Sequence, residues 1–98
     1  MELFPTELRK TIPRIYSTEK DEDPIVRVKF FAPWGGWTWY VLEGLDEDGD
    51  YLFFGHVEGP VCERGYFHLS ELESITGPGG LKVQRDPHFE PGPLSNYT

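Results

Sequence analysis

Cysteine is nearly missing from this chain. Cys62 stands alone among 98 residues, so no intrachain disulfide can form, and a reducing cytoplasm is the expected compartment. Long apolar runs are missing too. None approaches the roughly 20 residues that a bilayer-spanning helix needs, and no membrane association is expected. The opening MELFPTELRK has neither the basic start nor the apolar stretch of a secretory signal. There is no phosphate loop, because Gly77, Gly79 and Gly80 are not followed by lysine and a hydroxyl residue at the required spacing. Solenoid-length repeats and low-complexity tracts are also lacking.

Positive charge is scarce in one region. The formal net charge is −8, and its placement says more than its size. Residues 1–42 hold six acids and six bases, and residues 74–98 hold two of each. Residues 43–73 hold nine acids (Glu43, Asp46, Glu47, Asp48, Asp50, Glu58, Glu63, Glu71, Glu73) against Arg64 alone. Such a surface repels nucleic acid and attracts basic partners.

What is present is aromatic bulk, 15% of the chain, enough to fill the core of one small domain spanning 1–98. Thr6 to Ile12 reads as a short helix capped by Thr6 and ended by Pro13. PIVRVKFFA (24–32) is the first strand, with Val26, Val28 and Phe30 on one face. GWTWYVLE (36–43) is the second, bulky on both faces and therefore central. GLDEDGD (44–50) reads as an acidic turn in which Asp48-Gly49 supplies positive φ. YLFFGHVE (51–58) is the third strand, with Gly55 marking a bulge or a close backbone approach. Tyr66-Phe67 is a short strand. Ser70 and Glu73 have capping-box spacing for a helix over about 71–76, and LKVQRD (81–86) is a last strand. The expected fold is α+β: a small antiparallel meander of four to five strands, a short N-terminal helix and a second short helix near 71–76.

Catalytic chemistry finds no coherent set. His56, His68 and His88 with Cys62 and a nearby acid match no zinc spacing, so neither metal nor other cofactor is implied. Asp46, Asp48 and Asp50 alternate like the start of a calcium loop, but Tyr51 and Val57 stand where that loop needs glycine and glutamate. Cys62 with His68 makes a nucleophile and base only if the fold brings them together. Arg85-Asp86 reads as a structural ion pair.

Several strings occur in order along nearly the whole chain: Pro13–Glu19 (PRIYSTE), Asp23-Pro24, Lys29–Pro33 (KFFAP), Trp37–Tyr40 (WTWY), Phe54-Gly55, Gly65–Phe67 (GYF), Leu69–Ile75 (LSELESI), and Arg85-Asp86 followed by Phe89 and Pro91. Together they resemble the DUF2958 family. The resemblance implies a small bacterial protein of a kind often carried by plasmids, integrative elements and phages. It implies no activity and no catalytic residues. The family's usual residues are a serine at the position of His68 and an acid at that of Gln84, which speaks against catalysis by either.

The expectation is therefore a non-enzymatic interaction protein with a basic, nucleic-acid-handling or defence protein as partner. Its contact face would comprise Asp46, Glu47, Asp48, Asp50, Glu71 and Glu73. Trp34, in a Pro-Trp-Gly-Gly turn where burial is least expected, would be an exposed anchor. Two alternatives stand beside it. One is a module that stacks single-stranded nucleic acid or a nucleotide on Trp37, Trp39 and Tyr40, with Arg27 and Lys29 for phosphates. The other is a small enzyme using His56, His68, Cys62 or Arg85.

Overall fold

Alternating side chains from Thr38 to Glu58 build a long hairpin, and the rest of the chain packs around it. The computed structural model describes residues 3–98. Its strands are β1 (Ile25–Val26), β2 (Val28–Phe31), β3 (Thr38–Glu47), β4 (Asp50–Glu58), β5 (Cys62–His68), β6 (Gln84–Arg85) and β7 (Gly92–Pro93), with helices α1 (Thr6–Arg9) and α2 (Leu69–Ser74). Five strands form one antiparallel sheet in the order β5-β4-β3-β2-β6, and β1 pairs with β7 in a second, two-stranded sheet. This is the α+β meander expected. Among the described residues, no helix is long and apolar enough to cross a membrane.

Two cores lie on opposite faces of the large sheet. The main one gathers Val28, Phe30, Trp39, Val41, Tyr51, Phe53 and Phe67 under Phe4, Ile12 and the α2 residues Leu69 and Leu72. Phe4 meets Phe53 and Tyr51 edge-on, both at 4.9 Å between ring centroids, the arrangement that aromatic quadrupoles favour. On the other face Tyr40, Leu42 and Val26 pack under Leu94, with Phe89 and Tyr97 beside them. The proline-containing tail is thus ordered. It covers this second face near β1 and the start of β3 and does not reach the far half of the hairpin.

Element boundaries differ from the expected ones for local reasons. The predicted first strand breaks at Arg27, whose N–H donates to the carbonyl of Val41 at 2.8 Å. The break turns Val26 into the second core while Val28 and Phe30 enter the main one, so the three do not share a face. The expected acidic turn over 44–50 shrinks to Asp48-Gly49, with Gly49 at φ 91°, because Leu45 pairs with Leu52 and continues the ladder. β5 is seven residues long rather than two. It is an edge strand held by backbone pairing, and its exposed polar start carries no apolar alternation. α2 begins earlier than expected. His68 stands at its N-cap, and Glu71 reaches back to the His68 N–H at 3.1 Å, replacing the Ser70/Glu73 box. α1 ends at Arg9, not Ile12, and Pro5 rather than Thr6 precedes it without a side-chain cap. β6 contracts to two residues.

The β3–β4 ladder slips by one residue between Val41 and Glu43. This bulge places two side chains, Leu42 and Glu43, against one on β4. Leu42 joins the second core, and Glu43 reaches across to the loop that follows α1.

Candidate docking groove

Glu43 organises the site. Its side chain is buried, with 2% of the residue exposed, and it spends its charge on the segment after Pro13. The Tyr16 N–H donates to Oε1 at 2.7 Å, the Thr18 N–H donates to Oε2 at 2.8 Å, and the Thr18 hydroxyl also donates to Oε2. The Gly44 N–H completes the seam by donating to the Pro13 carbonyl at 2.9 Å. Two N–H groups and a hydroxyl satisfy the buried carboxylate. They also hold Tyr16 at φ 72°, a left-handed conformation that a bulky residue keeps only when its surroundings impose it.

The consequence is an outward-pointing Tyr16, 66% exposed, beside Tyr66 at 51% and Leu45 at 43%. These three with Arg14, Ile15, Ser17 and Leu52 line a groove of about 720 Å³. Hydrogen bonding to Tyr16 is the main reason the Tyr66 phenol pKa is raised. Past the two tyrosines a smaller cavity of about 230 Å³ continues to Glu19, Phe54, Arg64 and Glu43.

Register carries the groove directly into the acidic end of the sheet. Leu45 faces Leu52, and two residues further on Glu47 faces Asp50, while Leu52 also faces His68 on β5. Side chains two apart share a face, so Leu45, Leu52, Glu47, Asp50 and His68 lie on one surface. There the acids are partly engaged. His68 Nδ1 lies 3.0 Å from Glu71 and its Nε2 lies 2.9 Å from Glu47. Asp50 accepts the Ser70 N–H at 3.1 Å and the Ser70 hydroxyl at 2.7 Å at the start of α2. The Ser70 hydroxyl is the main cause that lowers the Asp50 pKa. Asp46, Asp48 and Glu73 stay exposed.

The His68 bracket makes a testable pH dependence. Its pKa is raised above the ordinary 6.5, first by the hydrogen bond to Glu71 and then by that to Glu47. A raised folded-state value stabilises the fold below the unfolded pKa, and that stabilisation is lost as pH rises through the folded value. The stability advantage over His68→Gln is expected to be largest near about pH 5.5 and to shrink by about pH 8.5. Urea unfolding at both pH values measures it, and an advantage that grows with pH contradicts the bracket. The imidazole is over a third exposed, so solvent screens the effect.

Most of the other residues singled out from sequence are dispersed. Trp34 is half-buried, with its ring against Gly77, so it is not an exposed anchor. It sits before the start of β3, about 30 Å of strand from the Asp48-Gly49 turn, and packs against the main core beside Ile75 at the end of α2. Trp37 is the more exposed indole, at 42%, and stacks on Trp39 at 6.0 Å. Trp39 and Tyr40 are buried in opposite cores, so with Trp37 they make no continuous stacking platform. Lys29 lines a different cavity with Lys82 and Arg85, whereas Arg27 borders a small one beside Phe89. Cys62 and His68 lie at the two ends of β5, roughly 20 Å apart along the strand, and cannot act as nucleophile and base. His56 and Cys62 do approach each other, with ligand atoms within 4.8 Å, but His68 stands at the other end of β5 and Arg85 on β6, so the four do not meet in one pocket.

Sequence reasoning missed Tyr16, Tyr66, Leu45 and the role of Glu43. A usable signal existed for one of them: an acid inside the bulky run Trp37–Leu45 has to be either exposed or paired.

No curated protein and no solved structure matches the chain. A family model does match, described as "Protein of unknown function (DUF2958)", over residues 3–98. The match takes in the segments that build the groove as well as both cores. The chain belongs to the DUF2958 family.

Proposed function

We propose that the protein is a non-enzymatic interaction module, and that its groove receives a basic segment of a partner protein bearing apolar side chains. The supporting observation is an apolar groove that runs on its own sheet surface toward Glu47 and Asp50, with further exposed carboxylates around the same hairpin end, of which Asp46, cross-strand from Tyr51, faces the opposite surface. Tyr16, Leu45, Leu52 and Tyr66 offer apolar contact, and Asp46, Asp48 and Glu73 at the hairpin and α2 end stay free to meet positive charge. Exposed tyrosines such as Tyr16 and Tyr66 are residues that binding hot spots favour, and charge of one sign steers association and selects the partner. A nucleic-acid-handling or defence protein has the required basic surface. A role on a mobile element and work in the cytoplasm belong to the same reading, and an exposed free thiol at Cys62 suits a reducing compartment.

The test compares bacterial lysates captured on the purified protein, on Leu45→Ser/Tyr66→Ser, and on Asp46→Lys/Asp48→Lys/Glu73→Lys. A specific partner is expected to lose about tenfold or more in affinity with the first variant, a hot-spot loss. With the second it is expected to lose binding together with the salt dependence. A partner retained equally by both variants overturns the reading.

A further inference from the structure

We propose that His56, Glu58 and Cys62 form a binding site for a borderline divalent transition metal, Zn²⁺ foremost. The three residues flank the turn between β4 and β5. Glu58 pairs directly with Cys62 across the two strands, and His56 precedes Glu58 by two, on the same face of β4. One ligand atom from each lies within 4.8 Å of the other two, and His56 Nε2 stands 3.7 Å from Glu58 Oε2. Bonds of about 2.0–2.3 Å in a tetrahedral zinc site put its donors roughly 3.3–3.8 Å apart. The imidazole and carboxylate already have that spacing, and the exposed Cys62 side chain has little distance to close.

The donor set decides the class of ion. One nitrogen, one oxygen and one sulfur suit zinc, cobalt or copper, and hard oxygen-seeking Mg²⁺ and Ca²⁺ gain nothing from a thiol. Three protein ligands leave a fourth position to solvent or to another molecule. The site has a supporting layer. Buried Tyr40 lies tilted against the His56 ring at 6.2 Å between centroids. Such neighbours fix the orientation of metal ligands. Bound metal would join the ends of β4 and β5 across Gly59–Val61. Arg64, cross-strand from His56, holds affinity below that of a closed four-ligand site.

Cobalt absorption tests this on the reduced full chain. One equivalent of Co²⁺ is expected to produce a thiolate-to-cobalt charge-transfer band, which Zn²⁺ displaces. Cys62→Ser is expected to abolish the band, and His56→Gln and Glu58→Gln each to weaken the metal about tenfold or more. Circular dichroism confirms that the variants are folded. Absence of the band at stoichiometric Co²⁺ overturns the proposal. So does a band whose affinity is unchanged in both His56→Gln and Glu58→Gln, because the metal is then bound by a bystander thiol.

Discussion

Glu43→Ala is expected to destabilise the protein by about 3–5 kcal/mol, because it removes the buried carboxylate that three part-buried donors share, and hydrogen bonds to a charged acceptor contribute about 1.5–3 kcal/mol each. The loss is a large part of the 5–15 kcal/mol that holds a typical domain. At about 4–8 °C per kcal/mol for a chain of this size, the melting temperature should fall by at least about 12 °C. The Tyr16 and Thr18 amides, which donate to Glu43, should exchange with solvent faster than their neighbours. Glu43→Gln keeps one acceptor oxygen and should lose roughly half as much. Thermal unfolding with amide exchange measures both. A loss under about 1 kcal/mol, as for a surface residue, would contradict the clamp. The consequence reaches the groove as well, since Tyr16 forms its wall only while the clamp holds the chain.

Gly55→Ala is expected to cost about 3 kcal/mol or more, at the upper end of overpacking penalties. A methyl group there would collide with the Tyr40 carbonyl oxygen and lie 3.0 Å from the Tyr40 carbonyl carbon and 3.3 Å from the Val41 Cα. All of these are backbone atoms of the neighbouring central strand, beside the bulge, and none can rotate away. Gly65 is the control. It pairs directly with Gly55, yet among the described residues nothing lies within 4 Å of its added carbon. Gly65→Ala should therefore leave stability unchanged or raise it by up to about 1 kcal/mol. Equal effects at the two glycines in urea unfolding would show that the close approach is absent.

These two positions mark how far the sequence could be read. Gly55 was legible, because a glycine inside a strand of bulky residues demands a reason. The central position of β3 was legible for the same kind of reason, since Trp39 and Val41 fill one core and Tyr40 and Leu42 the other. The extent of β5 was not, because the start of an edge strand needs no apolar alternation. The break at Arg27 was not, because local propensity over 24–32 favours one unbroken strand and only pairing with Val41 interrupts it. Of the site, the acidic residues were legible as composition. Their division into Glu47, Asp50 and Glu71, held by His68 and Ser70, and Asp46, Asp48 and Glu73, left exposed, required the register. The groove was illegible because its walls come from segments about 30–50 positions apart, and Glu43 joins them through a bulge that no periodicity announces. Trp34 misled for a related reason. Its turn looked open, but Gly77 from a distant turn lies against its ring.

The groove's use can be read most directly inside living bacteria, by placing a photo-crosslinking amino acid at Leu45, at Tyr66, or at Leu81. Leu81 is exposed to the same degree as Leu45 and lies outside the groove, so it reports on random collisions. The docking account predicts the same protein-sized adduct from Leu45 and Tyr66, absent from Leu81 and lost when Asp46, Asp48 and Glu73 are reversed to lysine. Equal crosslinking at all three positions, or none at Leu45 and Tyr66, would contradict it.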